Sequence, residues 1–403
     1  MKFQGKKIKI ISLAFFLCFL LFMMIHVCEN QTINALADTE TNQEKVDEKL
    51  NEIINEQLNA LNLKELEKYV SSLTSFENKS LATRLTEYIA GEKIDYAQFG
   101  KDIINVLFFK LQEMLPTFLC IITITILSGL INSLRSLSMS STTSNIINLI
   151  AFITALIPLL AVLSECLKGA FHSVNEMQQQ MQLIFPLMLT LMAASGGSVS
   201  AAIARPSVAF FSSSIVSIIT SVVFPLVVMI IAFSIVGNLS KELKITRFTT
   251  FFKSINKWIL GLSVSVFGLF FTLQGISAAT YDGIARRAAK YAIGNGIPIV
   301  GGFLSGGFDL AIAGSILIKN SLGSMGIFLM LSVIFEPLIL LISSNLLLRM
   351  TAAIAQPIGD NQISNFLGET ADNLNFCTAG LLFTAFLYFL SIVMMICSSE
   401  ALL

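Results

Sequence analysis

A helix needs about twenty consecutive apolar residues to cross the hydrocarbon of a bilayer, and this chain supplies such runs repeatedly. The uninterrupted ones are Leu115–Ile131, Ile146–Ser164, Trp258–Thr280, Met325–Leu348 and Asn375–Cys397. Three others are broken or overlong. Leu183–Ala204 contains Ser195-Gly196-Gly197-Ser198, and Ile297–Ile318 contains Gly301-Gly302 and Gly306-Gly307. Pro206–Val236 is too long for one straight span and carries Pro225 inside it. Broken backbone is tolerated at membrane depth only where protein or a water-filled cavity covers it. These patterns predict an all-α, polytopic helical membrane protein of six to eight spans. Two Gly-broken segments are expected, either crossing or re-entrant, with hinges at Gly196, Gly197, Pro225 and Pro337.

Charge is scarce, at 13% of residues, against about a quarter in an average soluble domain. Positive and negative charges balance, so no basic field draws nucleic acid. What charge there is concentrates in residues 38–113. Before them, Lys2, Lys6, Lys7 and Lys9 precede the apolar run Ile10–Val27, and Ala35-Leu36-Ala37 follows. That order reads as a secretory signal peptide over residues 1–37. The apolar run is long for one, and an uncleaved anchor is the alternative. In either case residues 38–113 are placed across the membrane. Val46, Leu50, Ile53, Ile54, Leu58 and Leu61 form one apolar helical stripe there. It suits a cap on the chain's own bundle or a docking surface for another extracytoplasmic protein.

The transmembrane region, 114–403, carries a suspected internal repeat. Pro186 and Pro298 are 112 residues apart, and so are Pro225 and Pro337. Ser-Val-Val-Phe before Pro225 matches Ser-Val-Ile-Phe-Glu before Pro337. The halves would be 146–257 and 258–373, followed by a last helix at 375–397. Each half reads as a span, a polar stretch (168–182; 282–295), a Gly-broken segment, a Pro-centred helix and a second polar stretch. Paired broken helices in two halves are common at the central sites of transporters. Eight spans would invert the halves and six would leave them parallel. Loop charge does not separate the two, although the dense basic stretch Lys241–Lys257 favours six.

Few residues suggest chemistry. Glu336 precedes Pro337, and a carboxylate in mid-membrane must be paired or hydrated. It reads either as the lining of a pathway or as a buried group satisfied within its own bundle. Asp309 and Lys319 could neutralise each other or Glu336. Gly261, Gly268 and Gly275 recur every seven residues on one helix face. Gly302 and Gly306 form a second small-xxx-small motif. Both are packing devices for a close helix neighbour from this chain or another. Lys241–Trp258 alternates basic and aromatic residues, and Arg286, Arg287 and Lys290 lie in a second amphipathic stretch. Both suit the lipid bilayer surface. The six cysteines are scattered, and of the two histidines only His172 lies beyond the N-terminal run, where it reads as a polar residue at a membrane edge. The sequence has no GxxxxGK[ST], HExxH, GxSxG or paired CxxC. It offers neither a catalytic nor a metal site and implies no cofactor.

Residues Gln274–Gly323 (QGISAATYDGIARRAAKYAIGNGIPIVGGFLSGGFDLAIAGSILIKNSLG) closely resemble the signature stretch of the stage III sporulation protein AE family. Glu56–Val70 (EQLNALNLKELEKYV), Ala194–Pro206 (ASGGSVSAAIARP) and Ala352–Gly359 (AAIAQPIG) resemble it less specifically. The Gly306-Gly307 pair departs from the family pattern, which is more polar there. The resemblance implies a polytopic subunit of a channel complex, similar to a secretion system, in the mother-cell membrane around the forespore. It implies partners as well: an ATPase, small membrane subunits and ring-forming proteins. The family has no assigned catalytic residues to carry over. A self-sufficient secondary transporter is the competing expectation.

Overall fold

The computed structural model describes residues 96–134, 141–195, 197–239, 245, 247–270, 301–358 and 361–397. Among them every regular element is helical. Helix α1 is Tyr96–Leu134, α2 Ser141–Ala194 and α3 Ser198–Ile218. A π-helical turn, Ile219–Val223, leads into α4, Phe224–Leu239. Helix α5 covers residues 247–270. Helix α6 is Gly301–Ala355, followed by a 3-10 turn at Gln356–Ile358, and α7 is Asn361–Cys397. Among the described residues five helices are long and apolar enough to cross a membrane, with spans inside Leu107–Leu130, Leu149–Ala194, Ser212–Leu239, Ala311–Ala355 and Gln362–Cys397. The chain is thus an all-α polytopic membrane protein. The signal-peptide region, the stripe from Val46 to Leu61, Gly196, Gly275, and Arg286, Arg287 and Lys290 lie outside the described residues.

Helices α2, α6 and α7 form the centre. Helices α2 and α6 run antiparallel: Cys166 meets Ser344, Ser173 meets Val333, and Gln180 meets Leu329. Helices α6 and α7 form an antiparallel hairpin about the 3-10 turn, with Ser364 bonded to the Ala352 carbonyl at 2.8 Å near its closed end. Lys319 reaches Ile396 at its open end. Helix α1 lies beside α2 and α6, with Met114 at Ser344. Helix α4 lies antiparallel to α7, and α5 touches both through Phe233–Phe252 and Phe267–Phe383. Phe152 against Phe366 (5.1 Å) and Phe185 against Tyr388 (5.6 Å, edge-on) fill the interior.

The expected break after Leu183 is present. Gly197 donates to the Met192 carbonyl at 3.0 Å, the long closing bond of a Schellman-type helix end. The Ser195 hydroxyl takes the same carbonyl at 2.9 Å, and α3 starts anew at Ser198. Just before Pro225 the π-helical turn Ile219–Val223 absorbs the hydrogen bond that the proline cannot make.

Several expectations are corrected. The polar stretch 168–182 is no connector but the middle of a 54-residue helix. Glutamine and glutamate are good helix formers, so polarity there did not mean a break. Gly306-Gly307 does not break α6, which runs unbroken from Gly301 to Ala355. Glycine costs a helix about 1 kcal/mol but leaves its hydrogen bonds intact. The Gly301-Gly302 pair expected to share that break lies at the start of α6, and the residues before it are outside those described. Trp258 does not begin a helix; it lies within α5, exposed. The boundary expected at residue 113 falls inside α1.

Candidate functional site

Proline at position i removes the donor that would reach the carbonyl of residue i−4. For Pro337 that carbonyl belongs to Val333, buried in the α2–α6 contact. The Ser173 hydroxyl donates to it at 2.9 Å. Gly169, one turn earlier on α2, leaves room for the proline ring: a Cβ there would sit 3.6 Å from that of Pro337. Four residues, Gly169, Ser173, Val333 and Pro337, thus make one joint in which a neighbouring helix completes a proline helix. Gln180 adds a bond to the Leu329 carbonyl at 3.1 Å, and Cys166 and Ser344 share one at 3.1 Å. Ser173→Ala should lower stability by about 1–2 kcal/mol, since it strands a buried carbonyl. Thermal unfolding in detergent measures this, and Ser173→Thr should restore most of the loss.

Glu336, next to that joint, is exposed and makes no hydrogen bond or ion pair among the described residues. The expectation of a Glu buried within its own bundle is therefore corrected. The helix turns Val333, Ile334, Pro337 and Leu338 inward, which leaves position 336 on the outer face. Glu336 lies within electrostatic reach of Lys110. Lys110 pairs with Glu113 at 2.9 Å and lies 3.6 Å from Glu165. His172, 76% exposed, lies 3.2 Å from Glu176. A charged cluster of half-buried Lys110 and exposed Glu113 on α1, Glu165 on α2 and Glu336 on α6 therefore lies at one level.

Lys319 is fully buried between α6 and α7. Its Nζ donates to the Ile396 carbonyl at 2.6 Å. Ile396 is in the last turn of α7, where unpaired carbonyls give a helix its negative end. The lysine caps a neighbouring helix. It does not meet Glu336, seventeen residues along the same helix and about 25 Å away along its axis. Asp309 lies on α6, but its side chain is outside the described residues.

A second polar group holds the closed end of the α6–α7 hairpin. Glu369 accepts from Ser234 and from Asn238, the latter at 3.2 Å. Gln362 donates to the Asn238 carbonyl. Arg349 bonds Asn345 and Asp372, each at 2.8 Å, and Asn345 bonds the Ala371 carbonyl. Asn373 is fully buried nearby, with neither amide atom hydrogen-bonded. Sequence reasoning missed this group. Its signal was available: Gln362, Glu369, Asp372 and Asn373 lie within three turns ahead of an apolar run.

The glycine strip behaves differently from the core glycines. A Cβ on Gly261 or Gly268 would meet nothing within 4 Å, in contrast to Gly323, Gly326 and Gly380. Gly302 and Gly306 lie in the first turns of α6.

The whole helical assembly from α1 to α7 is matched by one family. The sequence model of stage III sporulation protein AE covers residues 80–399. The chain belongs to the stage III sporulation protein AE family. The stage III sporulation protein AE of Bacillus subtilis (strain 168) is 28% identical over 313 residues, covering 77% of this chain and 78% of that protein. No solved structure matches the chain. The stage III sporulation protein AE match includes the Ser173–Pro337 joint, Lys319 and the Glu369 group. It begins after Glu56–Val70. Membership places the chain among sporulation proteins.

Proposed function

We propose that the chain is a non-enzymatic, polytopic subunit of a channel complex, similar to a secretion system, in the mother-cell membrane around the forespore. There it acts as membrane platform or conduit and supports forespore maintenance. Its N-terminal region faces the extracytoplasmic side after a signal peptide. Its partners are an ATPase, small membrane subunits and ring-forming proteins, and it binds neither nucleic acid nor a cofactor. Family membership supports the sporulation setting. The observation that carries the platform reading is the outward glycine strip on α5: Gly261 and Gly268 have open space around them. Small residues let helix backbones approach closely, so the open space beside Gly261 suits a helix from another subunit.

Gly268→Leu should leave insertion and thermal stability within about 0.5 kcal/mol of wild type, as for a surface change. It should also reduce co-purification with the sibling subunits by about tenfold, the equivalent of 1.4 kcal/mol. Wild-type recovery of the siblings would contradict the assignment of this face. The transporter alternative needs paired broken helices. Of the expected breaks, the one at Ser195–Gly197 is present; α6 is continuous from Gly301, and the residues before Gly301 lie outside those described.

A further inference from the structure

Helices α2 and α6 contain 54 and 55 residues, about 80 Å each at 1.5 Å per residue. The hydrocarbon core is about 30 Å thick, and tilts rarely exceed about 40°. No tilt in that range places the whole of either helix in lipid. The chain must therefore show where lipid stops, and its outer surface does.

On α2 the exposed large side chains before Glu165 are Ile146, Leu149, Ile150, Ile153, Ile157 and Leu160, with the smaller Thr154, Ala161 and Ser164 between them; the Thr154 hydroxyl donates to the Ile150 carbonyl. Beyond it they include Lys168, His172, Gln179, Gln182 and Thr190. The change falls level with the charged cluster: Lys110 and Glu113 on α1, Glu165 on α2, Glu336 on α6. From this girdle toward the 3-10 turn, residues 113–134, 146–165 and 336–355 each give about twenty residues, or about 30 Å. Within that height α6 exposes Ile342, Leu346, Met350 and Ile354, and α5 exposes Leu262 and Leu269. On the other side, positions 311–335 of α6 are buried or half-buried throughout. Their hydropathy thus reports the inside of a helical bundle. Ile104, Phe108, Phe109 and Phe171 lie within two turns of the girdle, and among the described residues Phe210 is the exposed large apolar side chain that stands further out.

We infer that the acyl chains contact only the half of the bundle between this girdle and the 3-10 turn. The other half of α2, α6 and α7, with α3, projects from the membrane as a helical stalk ending at the Ser195–Gly197 turn. Its partner on the lipid side is the bilayer itself. The lysines and carboxylates of the girdle sit at the headgroups, where charge is solvated at little cost. The stalk offers glutamine, threonine and serine to water.

The test uses the full chain with its native cysteines replaced, purified and reconstituted into vesicles of phosphatidylglycerol and phosphatidylethanolamine, so that no other protein covers the stalk. Single cysteines are placed at Ile150, Ile157, Gln182 and Thr190. A membrane-impermeant maleimide is applied to vesicles made leaky. Positions 182 and 190 should label at least tenfold faster than 150 and 157, and all four should label alike in denaturant. Labelling of 182 and 190 as slow as that of 150 and 157 would overturn the inference and put both halves in hydrocarbon. Fast labelling at 150 and 157 would overturn it too, by removing the lipid band.

Discussion

Lys319→Glu should abolish accumulation of the folded chain, whereas Lys319→Met should leave it folded. The lysine is fully buried, and its ammonium faces the Ile396 carbonyl at 2.6 Å, in the final turn of α7. A carboxylate there faces the negative end of that helix with no compensating donor from the lysine. An uncompensated buried charge costs about 3–5 kcal/mol, a large part of the stability of an ordinary domain. Methionine matches the stem in length and removes the charge with it. Its cost includes the lost bond to the Ile396 carbonyl, about 1–2 kcal/mol. Abundance in membranes and unfolding in detergent should both rank wild type above methionine and methionine far above glutamate. Equal loss for the two variants would mean that the lysine acts through something other than its position at the helix end.

Gly326→Leu should be nearly as damaging, and it contrasts with the mild Gly268→Leu. At Gly326 a Cβ alone would come 2.9 Å from the Ile392 side chain and 3.3 Å from that of Ile184. Helix α6 is pressed between α7 and α2 there. Three further carbons have no space without separating the helices, and overpacking of this kind costs about 1–3 kcal/mol or more. Thermal unfolding of the detergent-solubilised chain should show the loss. A wild-type midpoint would mean that these helices are further apart than 326, 184 and 392 imply. Sequence alone ranks the two glycines the other way, because Gly261, Gly268 and Gly275 form a regular strip and Gly326 is isolated.

That reversal shows which features can be read from sequence. Helices were legible because apolar length and hydrogen-bond removal are local properties. The twenty-residue runs, the stop at Ser195–Gly197 and the disturbance before Pro225 follow from them. The carbonyl freed by Pro337 was legible too, but its partner was not, since Ser173 lies 160 residues away. Helix continuity through 168–182 and through Gly306-Gly307 was misread, since polar or flexible residues weaken a helix without ending it. The orientation of Glu336 was hidden for another reason. Helix α6 is apolar nearly all round, so no stripe distinguishes inward from outward. The polar group about Glu369 depends on α4, α6 and α7 meeting at one end, which no single segment encodes.

The role proposed for this helical membrane protein is tested most directly by removing its gene and following sporulation. The account predicts that cells complete engulfment, that the forespore then fails to be maintained, and that mature spores fall by orders of magnitude. Expression of the wild-type chain in the mother cell alone should restore them. Normal spore numbers from the deletion strain, or restoration only by expression inside the forespore, would contradict it.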